Sequence, residues 1–245
     1  MSETWIILGA TSAMARALAR GLAAEDTALL LCGRDIAELE RDAADLMLRG
    51  ADTAEVFAFD TREPAGFETI LDAARARDGV LNVAVFAGAM PEQSVVDADP
   101  SLVAGVVTDN FSALAQFLMA IAPELEARGN GAVVGVGSVA GDRGRLGNYV
   151  YGAAKAGFHT FLSGLRNRLG RSGVHVMTVK PGFVDTAMTW GLDGLFLVAS
   201  PANVARDIRS GLRKKRNVIY SPWFWVGIMT IIRTIPERIF KKLQI

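Results

Sequence analysis

The sequence predicts one α/β domain, a doubly wound parallel sheet of about seven strands, followed by a short amphipathic helical extension. Three observations predict it. The chain has 245 residues, the size of a single α/β domain with a large core. Short apolar runs without period-two alternation are separated by longer amphipathic stretches, as in a parallel sheet covered on both faces. No internal repeat, low-complexity tract or linker divides the chain, so residues 1–217 read as the domain and 218–245 as a basic, aromatic-rich extension.

The first strand is predicted at 4–9 (TWIILG), and the Ala/Leu-rich stretch 12–24 suits a helix packed on a sheet. A second strand at 28–33 (ALLLCG) leads to a helix at 35–49, with Asp35 as its N-cap. A third at 56–60 (VFAFD) precedes a helix at 64–77. The fourth, 81–87 (LNVAVFA), is followed by a long helix at 100–127. The fifth, 132–136 (AVVGV), leads through a Gly-rich loop to a helix at 149–170. The sixth, 174–179 (VHVMTV), is followed by a helix at 201–214 and a weaker seventh strand at 217–220. Pro64, Pro100 and Pro201 sit where helices should begin, a favoured place for proline.

Composition narrows the function. Hydrophobic residues make up 51% and charged residues 21%, which excludes a disordered chain, a collagen and a coiled coil. Cys32 is the one cysteine, and His159 and His175 are the two histidines, so neither a disulfide framework nor a metal site is expected. The N-terminus lacks a basic and then apolar leader, which points to a cytoplasmic protein. The net charge of zero is an average. Residues 1–205 carry 16 Lys/Arg against 24 Asp/Glu, a net of −8, and residues 206–245 carry 10 against 2, a net of +8.

Two groups of residues carry chemistry. The first strand ends in Gly9-Ala-Thr-Ser-Ala13-Met-Ala15 and runs directly into a helix. A glycine there permits a tight turn, and small residues let backbone N–H groups and the helix N-terminus approach a pyrophosphate. Arg34, after the second strand, favours a 2′-phosphate and hence NADP(H) over NAD(H), unless it is a solvated residue at a helix start. Asp60 ends the third strand, where it would meet an adenine. The second group is Ser138 at the end of the fifth strand, Tyr151 and Lys155. The i, i+4 spacing puts Tyr151 and Lys155 on one helix face, where the lysine cation would lower the phenol pKa toward neutrality and allow proton exchange with a carbonyl. Ser138 would hydrogen-bond the same oxygen. Tyr149 reads as pocket lining or packing, and His159 as a surface or packing residue. His175 reads as a satisfied strand residue. The loop bearing Asp142, Arg143 and Arg145 is either a closure over a polar or phosphate-bearing substrate or a solvated turn.

With Asn110 and Pro181-Gly-Phe-Val-Asp-Thr186, these residues resemble the short-chain dehydrogenase/reductase family, in the family's order from residue 4 to about residue 190. The resemblance implies a Rossmann-type fold and interconversion of a ketone and a secondary alcohol, with the hard chemistry supplied by the cofactor. It implies Tyr151 as acid or base, Lys155 as its partner and holder of the nicotinamide ribose, Ser138 as carbonyl ligand and Asn110 as part of a proton relay. Cofactor contacts would come from Gly9, Thr11, Ser12, Ala13, Met14, Arg34, Asp60, Ala87, Gly88, Tyr151, Lys155, Pro181, Gly182, Val184 and Thr186. It also implies a homodimer or homotetramer through helices 100–127 and 149–170. The chain departs from the family where Ala13 and Ala15 replace glycines, and where Val85-Phe86-Ala87-Gly88 replaces Asn-Asn-Ala-Gly. The second change puts sheet-stabilising hydrogen bonds in doubt.

The substrate question falls on the C-terminal residues. Val218–Ile232 is about 15 residues, short of the roughly 20 needed to span a bilayer. Its tryptophans beside Lys and Arg describe an interfacial segment, giving peripheral contact with the inner face of the membrane, or else a helix packed on the body. Basic residues beside apolar surface on an otherwise acidic chain argue against nucleic acid. The tail and the 180–186 motif are also similar to a branch that reduces a 2-keto pentose carried on decaprenyl phosphate, so the expected substrate is a small or lipid-linked carbonyl compound. A soluble reductase of small ketones or 3-oxoacyl thioesters, and a cofactor-binding protein without turnover, are the alternatives. By position, 187–200, with Trp190, Leu192, Leu195 and Phe196, forms a lid.

Overall fold

Seven strands form a single sheet in the order β3-β2-β1-β4-β5-β6-β7 in the computed structural model, which describes residues 2–188, 190 and 197–243. They are β1 Glu3–Leu8, β2 Ala28–Gly33, β3 Thr53–Ala58, β4 Val80–Val85, β5 Ala132–Val136, β6 His175–Pro181 and β7 Val218–Ser221. Every neighbouring pair is parallel. The seventh strand lies inside the segment read as an extension: Val218–Ser221 pairs with β6, so these four residues belong to the sheet.

Side chains alternate between the two faces of each strand, and both faces are covered. Trp5, Ile7, Leu29 and Leu31 pack with Leu18, Leu22, Leu46 and Ile208, from α1 (Ala13–Ala23), α2 (Ile36–Leu48) and α8 (Pro201–Arg213). Ile6, Leu8, Leu30 and Val83 pack on the other side with Ile70, Phe117 and Leu162. Those come from α3 (Phe67–Arg75), α6 (Ala113–Arg128) and α7 (Tyr149–Leu169). This double burial explains why the strands read as continuous apolar runs.

Two helical features differ from expectation. A short helix, α4 (Gln93–Ala98), precedes the long one; six residues are too few to show a helical period. The long helix begins at Leu102 rather than Pro100, and Leu102–Arg128 runs as α5 (Leu102–Val107), a π-helical turn (Thr108–Ser112) and α6. It is long and apolar enough to cross a membrane, but Leu114, Phe117, Leu118, Ile121 and Leu125 are core residues against the sheet. The described residues end with α9 (Trp225–Thr234), α10 (Glu237–Phe240) and a short turn.

Because all strands are parallel, their C-terminal ends share one edge. Strand order reverses between β1 and β4, and the connections diverge there to leave a crevice. Gly9, Gly88, Ser138 and Pro181 all lie at that edge.

Candidate active site

The turn after β1 is held from two sides. The N–H groups of Gly9 and Ala10 both donate to Cys32 O, at 2.8 and 3.0 Å. Gly9 has φ +76°, and a Cβ there would lie 2.6 Å from Ala87 N, so both backbone and space call for glycine. Ser12 precedes α1 without a side-chain cap, and the first turn carries no acidic residue. The first-turn N–H groups of Ala13 and Met14 therefore lie uncapped at the positive end of the helix dipole. Where Val85 and Phe86 stand for the two asparagines, the backbone still ties to β1, Phe86 N and Ala87 N both donating to Leu8 O, at 2.8 and 3.1 Å.

At the end of β2, Asp35 caps α2, its carboxylate accepting from Glu38 N at 2.9 Å, while Arg34 is exposed. Asp60 accepts from Arg62 N at 2.8 Å through Oδ1. An uncapped helix N-terminus and a glycine turn together fit the pyrophosphate of a dinucleotide. Gly88 adds a close approach on the other side: a Cβ there would sit 2.5 Å from Asn110 Oδ1 and 3.2 Å from Lys155 Nζ. Asn110 lies in the π-helical turn and donates to Ala89 O (2.7 Å) and Val106 O (3.0 Å), leaving its buried Oδ1 unpartnered. The sequence-predicted Gly88, Asn110 and Lys155 are thus brought together.

Tyr151 and Lys155 lie in the first two turns of α7, both buried, with Lys155 Nζ 5.8 Å from the Tyr151 ring centroid. Lys155 donates to Val136 O at 3.2 Å. The lowering of the Tyr151 pKa expected from helical spacing is not what this arrangement yields. Burial pushes the phenol up to about 12, outweighing the Ser138 hydrogen bond and the Arg145 charge that pull it down. Burial also brings Lys155 down to about 8. Spacing along a helix does not report desolvation, and desolvation wins here.

Behind Ser138 lies a polar layer that the sequence reading missed. Ser138 N donates to His159 Nε2 at 3.3 Å, and Ser138 Oγ accepts from Ala140 N at 3.1 Å. Burial, with Lys180 adding to it, pushes His159 down to about 3, so the ring is neutral and its Nδ1 faces Asp142 Oδ1 at 3.8 Å. Asp142 is 3% exposed and accepts from Lys180 Nζ and Tyr220 Oη, each at 2.6 Å. The Asp142 loop is therefore an anchored element, not a solvated turn. Tyr149, read as lining or packing, donates to Asp97 of α4.

The C-terminal residues close this side. Trp225 is 1% exposed and packs with Val139 and Met229, its ring 5.6 Å from that of Phe183. A Cβ on Gly182 would fall inside the indole. Arg143 donates to Ile232 O and Ile235 O at 2.5 and 2.7 Å and stacks on Phe240. Val184 is buried and bridges to Ala199, beside Thr186. Of the residues expected in the lid, Leu192, Leu195 and Phe196 lie outside the described residues, and Trp190 is exposed.

A doubly wound sheet with these groups at its switch-point edge is the architecture of a Rossmann-type oxidoreductase. The chain belongs to the short-chain dehydrogenase family, whose model (short chain dehydrogenase) matches residues 3–193. It is 31% identical over 239 residues to an uncharacterized oxidoreductase of Mycobacterium tuberculosis, covering 97% of this chain and 96% of that one. It is 33% identical over 195 residues to sulfoacetaldehyde reductase 2 of Chromohalobacter salexigens, covering 77% and 75%. A short-chain dehydrogenase from Sphingobium yanoikuyae, solved in complex with NADPH, matches with a TM-score of 0.83 at 25% identity over 97% of each chain.

Proposed function

We propose that the protein interconverts a ketone and a secondary alcohol with NADP(H). The observation that carries this reading is the convergence of Ser138, Tyr151, Lys155 and Asn110 at the switch-point edge. In reduction, Tyr151, held as the phenol by burial, donates its proton to the carbonyl oxygen. Ser138 Oγ holds that oxygen, and the His159 acceptor holds Ser138. Lys155 passes a proton on to Tyr151, and the unpartnered Oδ1 of Asn110 is an acceptor that would orient the relay resupplying Lys155. Gly9, Thr11, Ser12, Ala13 and Met14 would hold the pyrophosphate, and Asp60 and Ala87 the adenosine side. Gly88, Pro181, Gly182, Val184 and Thr186, with Lys155, would hold the nicotinamide riboside. The cofactor, when bound, supplies the hydride. NADP(H) is favoured because Arg34 is exposed while Asp35 is engaged as a cap, and the NADPH complex of the Sphingobium relative supports it. The relative named as a sulfoacetaldehyde reductase supports a carbonyl substrate.

A lipid-linked keto-sugar is the second reading. Trp225 and Met229 face the body, while Trp223, 78% exposed, with Val226, Ile231 and Ile239, faces outward among Arg233, Arg238, Lys241 and Lys242. An apolar face with a basic border suits an anionic membrane surface beside the site. Exposed Leu102, Val103 and Met119 along the long helix support a homodimer or tetramer.

Cofactor titrations followed by tryptophan fluorescence test the first reading, with NADPH expected to bind at least about tenfold more tightly than NADH. The substrate screen follows NADPH absorbance with keto-sugars on polyprenyl phosphate, free ketones and acyl thioesters. Tighter NADH binding would overturn the Arg34 argument, and no turnover of any carbonyl would overturn the reductase reading.

A further inference from the structure

We infer that Arg145 and Asn148 form a subsite for a substrate oxyanion and a neighbouring hydroxyl, placed beside the carbonyl that Tyr151 protonates. The inference rests on the ketone–alcohol reading and adds a substrate class to it. Among the described residues, the basic groups around the site are otherwise engaged. Arg143 is bound to α9 and α10, Lys180 to Asp142, and Lys155 to Val136 O. Arg145 has no such partner, and its Nε is buried with no acceptor. Asn148, three residues on, has a buried Oδ1 with no donor among the described residues. A buried guanidinium N–H without an acceptor is costly, as is a buried amide oxygen without a donor, so two in one short loop call for a shared ligand.

Looseness does not account for the pair, because the loop is tied down on both sides. Arg143 fixes it to the C-terminal helices. On the other side, Tyr149 donates to Asp97, and Val150 N donates to Gln93 Oε1 at 3.2 Å. The pair lies close to the catalytic group. Asn148 is the N-cap residue of the 21-residue α7, makes no side-chain cap and precedes Tyr151 by three residues. The positive end of that helix adds to the Arg145 charge in favouring an anion. The Arg145 charge also reaches Tyr151, drawing its phenol pKa down against burial. One donor for an oxyanion and one acceptor for a hydroxyl describe a hydroxy-ketone bearing a phosphate or carboxylate. The phosphate can be free or carried on a lipid.

The test compares dihydroxyacetone phosphate with dihydroxyacetone as substrates of the NADPH-saturated enzyme. Wild type should favour the phosphate in kcat/KM by roughly ten- to a hundredfold, the range of one charge-assisted contact. In Arg145→Gln the ratio should fall to near one, and Arg145→Lys should restore part of it. Equal use of both ketones by wild type, or an unchanged ratio in Arg145→Gln, overturns the subsite. If neither ketone nor any other carbonyl is reduced, the reductase reading fails by itself. The subsite is then judged by inorganic phosphate titrated onto the NADPH complex and followed by tryptophan fluorescence. Roughly tenfold weaker binding in Arg145→Gln upholds it, and equal binding in both proteins overturns it. Competition by a prenyl phosphate against inorganic phosphate separates a lipid-borne source from a free one.

Discussion

Replacing Lys155 with methionine should stabilise the cofactor-free protein at neutral pH. Lys155 is 4% exposed, and burial lowers its pKa from 10.5 to about 8. Carrying the charge at pH 7 therefore costs about 3 kcal/mol of stability. Methionine fills a similar volume with a flexible apolar chain. It also removes the 3.2 Å donor to Val136 O, which returns about 1 kcal/mol. The net gain at pH 7 is about 2 kcal/mol. The gain has a definite pH dependence. Between about pH 8 and 10.5 the unfolded chain holds the Lys155 proton and the folded one does not, so wild-type stability climbs with pH there. Above pH 10 Tyr151 acts in the opposite sense, because burial keeps the folded phenol protonated to about 12 while the unfolded phenol ionises near 10. The window from about pH 8 to 10 thus isolates Lys155, and Lys155→Met should lose its advantage across it. Urea unfolding at several pH values, with unchanged m, measures the gap. A variant less stable than wild type at pH 7, or a gap independent of pH, would refute the reasoning.

Other outcomes follow from the same geometry. Gly182→Ala would drive a methyl into the Trp225 indole, so α9 must shift; the expected loss is about 1–3 kcal/mol in urea unfolding, with weaker NADPH binding by fluorescence titration. Wild-type stability with weak NADPH binding would instead show that α9 does not brace the loop at Gly182. If Tyr151 exchanges the proton as proposed, alcohol oxidation would use its phenolate, and kcat/KM should rise with pH from about 7 to 9, because the phenol is pushed up to about 12. Reduction, which uses the phenol, should be level from about pH 6 to 8. Stopped-time assays in the two directions check this, and an oxidation rate that is flat in pH would count against Tyr151 as the base.

The sheet was legible because β1, β2, β4 and β5 are buried on both faces and leave continuous apolar runs. Where spacing is local, as in Gly9–Ala15 and Tyr151/Lys155, the sequence already groups residues of the candidate site that the fold keeps together. What depends on tertiary contact was not. His159 reaches Ser138 N only because Gly137 and Gly141 leave room for its ring, since a Cβ on either would strike it. Gly182 gave no hint that Trp225, more than forty residues later, would cover it. The tail showed its amphipathic composition but not which face the body takes. Its buried half, Trp225 and Met229, and its exposed half, Trp223, Val226 and Ile231, separate only in the folded chain. The Tyr151 pKa departs from the helical-spacing expectation for a related reason, because charge spacing is written along the helix and burial is not.

In the proposed reaction Tyr151 supplies the proton to a carbonyl reduced at the switch-point edge. Tyr151→Phe tests it most directly, because the ring still fills its buried place while the hydroxyl facing Ser138 is removed. NADPH affinity by fluorescence titration should stay within about threefold of wild type, and kcat for a ketone identified in the screen should fall by about a hundredfold or more. A Tyr151→Phe protein that binds NADPH and reduces that ketone at the wild-type rate would contradict the assignment.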